Sequence, residues 1–305
     1  MIYTLGCSLV KWYWPTWADW LEVYGQPVTN LGYNGYCNNQ MYWILVDRIK
    51  DLKKDDHVII MWPHTFRIVN WYDREWVDEY DVLGFFPKTN GKLWFTKNTP
   101  YMGMYRLHPD RLVSLSHGII EAFNTILQTQ MLLDSVGCTY TMTYSQNLWV
   151  DARPTYKPTF KTRWNELTQL SDKELSLAKQ LLELDPLRNI LERIKWETVI
   201  DAPTNLDDIS QYAGLWEYFL REKEYVMYKH DSSNHPPAIA HHDWAVEKIL
   251  KLDPKTAKHR QTAKQISFDA MSMPIPEFSE QDYVADPATP LLDSRFKDIL
   301  EKIKD

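Results

Sequence analysis

Short apolar runs of β-prone residues alternate with stretches of helical periodicity along the first 144 positions. Residues 2–5 run straight into Gly6-Cys7-Ser8, the pattern of a buried strand that ends in a tight turn. A short helix over 17–24, stopped by Gly25, and a second short strand over 27–31 follow. From 38 to 53 the apolar residues Met41, Ile44, Leu45, Ile49 and Leu52 recur at helical spacing, with Asn38 or Asn39 as N-cap. The unbroken run Val58-Ile59-Ile60-Met61-Trp62 predicts a strand covered on both faces, as in a parallel sheet. A long helix over 116–135, stopped by Gly137, and a strand over 139–144 complete the alternation. Alternating strand and helix predict a doubly wound, three-layer α/β/α architecture on a central parallel sheet.

The pattern then changes. Residues 66–112 are rich in Trp, Tyr and Phe without a sustained period, and read as a long insertion carrying a hairpin over 84–95 around Asn90-Gly91. Ser171-Asp172-Lys173-Glu174 reads as a capping box opening a helix to 184; Asp185-Pro186 opens another to 196, and 205–221 reads as a third. After Asn234-His235-Pro236 a final core helix is expected from His241 or His242 to Leu252, with the two histidines capping it or lying on its surface. Residues 267–290 are Pro-rich and irregular, and 293–304 reads as an amphipathic helix. The expected organisation is one α/β domain over 1–255, with insertions at about 66–112 and 151–228, and a C-terminal tail over 256–305 with a terminal helix.

Composition narrows the function classes. A 305-residue chain that is 44% hydrophobic and 14% aromatic can build a large core, which excludes a disordered chain. The net charge of -7 repels phosphate backbones, so no nucleic-acid partner is expected. Cys7, Cys37 and Cys138 are far apart and odd in number, which suggests neither a disulfide framework nor a zinc site. No apolar run reaches the roughly 20 residues of a membrane span, and the N-terminal residues lack the pattern of a signal peptide. A cytoplasmic location is the expectation.

Candidate chemistry sits in four short segments: Gly6-Cys7-Ser8, Asn30-Leu31-Gly32-Tyr33-Asn34-Gly35, Pro63-His64-Thr65 after the third strand, and Asn234-His235-Pro236. A hydroxyl at the carboxyl end of a parallel strand lies where such sheets bind ligands, but it needs a base to become a nucleophile. His235 is the candidate base and Asp231 the candidate orienting carboxylate. The Gly-rich second segment, ahead of a helix, suits a backbone amide facing a substrate oxygen; an ordinary strand-to-helix turn is the plainer account. Trp12 and Trp14, with Tyr13, Trp17 and Trp20, either wall a substrate pocket or pack helix and insertion together.

In order and content these segments, with the 235–245 run His-Pro-Pro-Ala-Ile-Ala-His-His-Asp-Trp-Ala, resemble the SGNH or GDSL hydrolase superfamily. That family carries a Gly-Asp-Ser turn, an Asn-x-Gly-x-x-Gly turn, a Gly-x-Asn-Asp turn and an Asp-x-x-His-Pro segment leading into a helix that often contains Trp-Ala. The likeness covers about 1–65, 115–145 and 228–252. It implies a flavodoxin-like SGNH fold, Ser8 as nucleophile, His235 as base, and an oxyanion hole from the amides of Ser8 and Gly35 with the side chain of His64. Asn34 and Thr65, with the two tryptophans, would contact substrate. Three departures stand out: Cys7 replaces the family's Asp, His64 or Thr65 replaces the Asn of the third block, and Asp231 lies one residue too far from His235. The resemblance implies a serine esterase acting on an O-acyl ester of a carbohydrate or a small lipid-like molecule. Acyl transfer would use the same residues, and Cys7 is a further candidate nucleophile. The hydrolase chemistry needs no metal or organic cofactor. The rival expectation is a catalytically weak or inactive binding or structural protein of the same fold, similar to bacteriophage-encoded members and located in a virion, that reaches a protein partner through its C-terminal tail.

Overall fold

The computed structural model describes residues 1–33, 36–63, 65, 115–149, 172–228, 235–274 and 291–304. Its centre is a four-stranded, all-parallel sheet in the order β2-β1-β3-β4, made of β1 (Ile2–Gly6), β2 (Val28–Asn30), β3 (His57–Trp62) and β4 (Thr139–Tyr144). Tyr3 pairs with Thr29 on one side and with Val58 on the other, and Ile60 pairs with Met142. From β1 the chain first steps outward to β2, then crosses back past β1 to β3 and β4. The reversal falls between β1 and β3, and ligands of open parallel sheets bind outside the carboxyl ends of the strands at such a switch point.

Helices cover both faces. The helices α1 (Trp17–Val23) and α2 (Asn38–Arg48) flank β2 in sequence, and α3 (Leu115–Val136) packs on α2 and on β4. Next come α4 (Asp172–Leu182), α5 (Asp185–Arg193), α6 (Leu215–Arg221) and α7 (Lys223–Met227). They are followed by α8 (Ala238–Trp244), α9 (Arg260–Ala270) and α10 (Ser294–Ile303). On one side α1 packs against α8 and α10, and α8 against α9; on the other α3 packs against α2 and α5. This is a three-layer α/β/α arrangement. The Tyr140 hydroxyl donates to Asp134 of α3 at 3.0 Å, which assigns the Tyr140, Met142 and Tyr144 face of β4 to the α3 layer.

Several expectations are corrected. The N-cap of α2 is Cys37, not Asn38 or Asn39: its sulfur accepts from the Gln40 amide at 3.4 Å while the Gln40 side chain accepts from the Cys37 amide at 3.3 Å. That helix stops at Arg48, short of residue 53. The stretch 205–221 is not one helix. A single 3₁₀ turn (Ile209–Gln211) precedes α6, and the chain breaks at Gly214, where a Cβ would collide with the Tyr144 carbonyl and the Gln146 amide. The helix after His235 begins at Ala238, earlier than expected, and continues into a π-helical turn at Ala245–Ile249. Residues 260–270, expected to lie in a tail that turns irregular from 267, form α9, which buries Ala263, Ile266 and Ser267 against α8. The terminal helix is present, and its Phe296 and Leu300 belong to the core. The insertion at 66–112 with its hairpin, and the irregular stretch 275–290, lie outside the described residues, as does Ser171 of the expected capping box.

Candidate functional site

Close packing builds the turn after β1. A Cβ on Gly6 or on Gly32 would run into the Val10 side chain, so both positions need glycine for close approach. The Val10 carbonyl accepts from the Thr16 hydroxyl at 2.7 Å and from Asn30 Nδ2 at 2.8 Å, while Asn30 Oδ1 accepts from the Gly32 amide at 2.9 Å. The Tyr33 amide donates to the Gly6 carbonyl at 3.1 Å. The first two candidate segments are thus one hydrogen-bonded unit at the carboxyl edge of the sheet, with Asn30 as its clamp.

His235 reaches this unit from 227 positions away in sequence. Its Nε2 stands 2.6 Å from Ser8 Oγ, and the hydroxyl donates when the imidazole is neutral with its proton on Nδ1. Both side chains lie at the switch point of the sheet, and Ser8 is only 4% exposed. Three tryptophans hold the segment that carries His235. The indole N–H of Trp14 donates to the Pro236 carbonyl at 2.9 Å, that of Trp20 donates to the Ala238 carbonyl at 3.2 Å, and Trp12 lies flat against the His235 ring. The Ile239 amide, free of intrahelical partners in the first turn of α8, donates to Ser267 of α9 at 2.8 Å.

Trp12 and Trp14 were candidates for contact with substrate. They are 5% and 1% exposed, and both contact the histidine segment. Cys7 is buried and its thiol is free. Thr65 is also buried; its hydroxyl has no hydrogen-bond partner among the described residues, and its backbone is pressed so closely onto α3 that only a glycine fits at 118. Asn34, Gly35, His64, Asp231 and Asn234 lie outside the described residues.

His241 and His242 do not cap a helix or face solvent; both are fully buried inside α8, because α1 and α9 cover that helix. His242 Nε2 meets the Tyr24 hydroxyl at 3.0 Å and its Nδ1 meets Asp243 Oδ1 at 2.7 Å. Asp243 Oδ2 accepts from the Tyr225 hydroxyl and from Arg260, both at 2.9 Å, and Arg260 continues to Glu224 at 2.8 Å. Burial alone would lower the guanidinium pKa of Arg260, but hydrogen bonds to Glu224 and Asp243 outweigh it and hold that pKa above its usual value. The network joins α1, α7, α8 and α9, and so anchors the helix that carries His235. His241 has no partner on either ring nitrogen among the described residues, and burial pushes its pKa down to about 3, so it is neutral at pH 7. The sequence signalled this only as four consecutive polar or aromatic residues, His241-His242-Asp243-Trp244; Tyr24, Glu224 and Arg260 carried no local mark.

No group of three His, Cys, Asp or Glu side chains suited to a metal ion occurs among the described residues, and no helix there is long and apolar enough to cross a membrane. Chemically, a hydroxyl in short contact with an imidazole at the mouth of a parallel sheet can transfer its proton and attack an electrophilic carbon. No protein-family model matches the chain, and no curated protein resembles it significantly.

Proposed function

We propose that the chain is a serine esterase of SGNH type, cleaving an O-acyl ester of a carbohydrate or small lipid-like molecule through an acyl-enzyme on Ser8. The observation that carries the reading is the 2.6 Å contact between Ser8 Oγ and His235 Nε2 at the carboxyl edge of β1. In the first step Ser8 Oγ bonds to the ester carbon, its proton passes to Nε2, and the carbonyl electron pair moves onto oxygen. The alcohol then departs with the proton from Nε2. Water, deprotonated by the same nitrogen, releases the acid and regenerates the serine.

The amides of Ser8 and Gly35 with the side chain of His64 are the proposed oxyanion donors, and Asp231 the proposed orienting carboxylate. Each donor of this kind is worth about 10²–10³ in rate. Turnover of p-nitrophenyl acetate by the wild type, Ser8→Ala and His235→Ala tests the reading. Activity in the wild type alone supports it. Equal rates in all three would assign the fold to a binding or structural role instead.

A further inference from the structure

The inference rests on the proposed roles of Ser8 and His235 and concerns how the base carries its charge. The His235 ring lies parallel to the Trp12 indole, 16° between planes and 3.6 Å between centroids. Trp14 meets the same imidazole edge-on, at 82° and 6.5 Å, and crosses Trp12 at 85°. The backbone next to the ring is fixed by the Trp14 hydrogen bond to the Pro236 carbonyl. His235 is therefore seated in a corner of two indoles, with Nε2 directed at Ser8.

A neutral imidazole gains mainly packing from such a seat. A protonated one gains more, because the electron-rich face of an indole attracts a cation, most strongly where water is excluded. Trp12 is among the buried residues. The Ser8 hydroxyl and the indoles of Trp12 and Trp14 face the ring, none of them charged, and Asp231 is the carboxylate proposed above to orient it. Lys11, beside Trp12 in sequence, carries its ammonium over the Tyr33 ring, 5.6 Å from its centroid.

We propose that Trp12 is a positioning residue of the site: its indole face fixes the plane of His235 and stabilises the imidazolium that forms as Ser8 attacks. When Oγ bonds to the carbonyl carbon and the hydroxyl proton reaches Nε2, the positive charge appears over the indole. When the intermediate collapses, that proton leaves with the alcohol and the ring is neutral again. The indole favours the charged state at the moment it is needed, which is differential stabilisation of the transition state.

The test titrates His235 by NMR and records the pH profile of p-nitrophenyl acetate turnover in the wild type, Trp12→Phe and Trp12→Leu, with fluorophosphonate labelling of Ser8 alongside. Loss of the aromatic face removes a stabiliser of the cation. The His235 pKa and the acidic limb of the profile are therefore expected to move down together, by about one pH unit in Trp12→Leu and by less in Trp12→Phe. The expected fall in kcat is about tenfold with KM nearly constant. A folded Trp12→Leu with unchanged pKa and acidic limb overturns the proposal. If the leucine variant does not fold, an unchanged titration in Trp12→Phe does the same. A pKa that falls in protein whose Ser8 takes no label supports the stack and refutes the hydrolase reading. Label on Ser8 with an unmoved pKa refutes the stack alone.

Discussion

At the scale of single residues, two histidines in one short stretch of chain have opposite environments. His235 meets a hydroxyl at 2.6 Å, whereas His241 is sealed in α8 without a partner for either nitrogen among the described residues. Its folded pKa of about 3 lies below the ordinary value of 6.5, so the folded state binds fewer protons than the unfolded chain. The stability contribution is full above pH 6.5 and is lost as pH falls from 6.5 towards 3, reaching about 2 kcal/mol at pH 5. Urea denaturation of the wild type and His241→Leu at pH 7 and pH 5 checks this; the variant is expected to lack that share of the acid destabilisation. Under the proposed function, Ser8→Ala is expected to lower esterase activity by about 10⁴-fold or more with little change in the melting transition, since the role proposed for the hydroxyl is chemical and not one of packing. The meeting of Ser8 and His235 was legible because glycine and proline punctuate their turns. The seat of the base was not, since its contacts link Trp12 and Trp14 to residues more than 220 positions away.

Elements were read best where the local pattern is strong. The strand at 57–62 follows from its apolar run, the strand at 139–144 from its β-prone residues, and the helix at 115–136 from its apolar period and from Gly137, whose φ of +77° suits a helix stop. Elements set by tertiary contact escaped. The Cys37 cap uses a thiol where oxygen is the usual acceptor. The small apolar face of α9, Ala263, Ile266 and Ala270, left no strong period. The break before α6 exists because Gly214 slides under the Tyr144 carbonyl. Two variants test this scale. Gly118→Ala places a methyl against the Thr65 carbonyl, and is expected to destabilise the fold by about 1–3 kcal/mol in denaturant titration, with a loss of turnover as the turn after β3 shifts. Trp14→Phe keeps the ring but strands the Pro236 carbonyl, at a cost of about 1–3 kcal/mol and with a slower acylation step. An undiminished burst of p-nitrophenol in that variant would contradict the role given to the Trp14 clamp.

For the whole molecule, the strand order β2-β1-β3-β4 brings the ends of β1 and β3 side by side, while a buried network from Tyr24 to Glu224 ties down the layer that delivers His235. The three-layer class was legible because parallel strands covered on both faces leave continuous apolar runs, whereas the role of 260–270 and of Phe296 and Leu300 in closing the α1 layer was hidden in polar, Pro-flanked sequence. The central proposal is that the hydroxyl after β1 and the imidazole before α8 work as nucleophile and base. The most direct measurement is intact-mass and peptide mapping of the folded protein after exposure to a fluorophosphonate. The account predicts a single adduct on Ser8, absent in Ser8→Ala and strongly slowed in His235→Ala. A folded protein that carries no adduct on Ser8, or is labelled there as fast without His235, would contradict it.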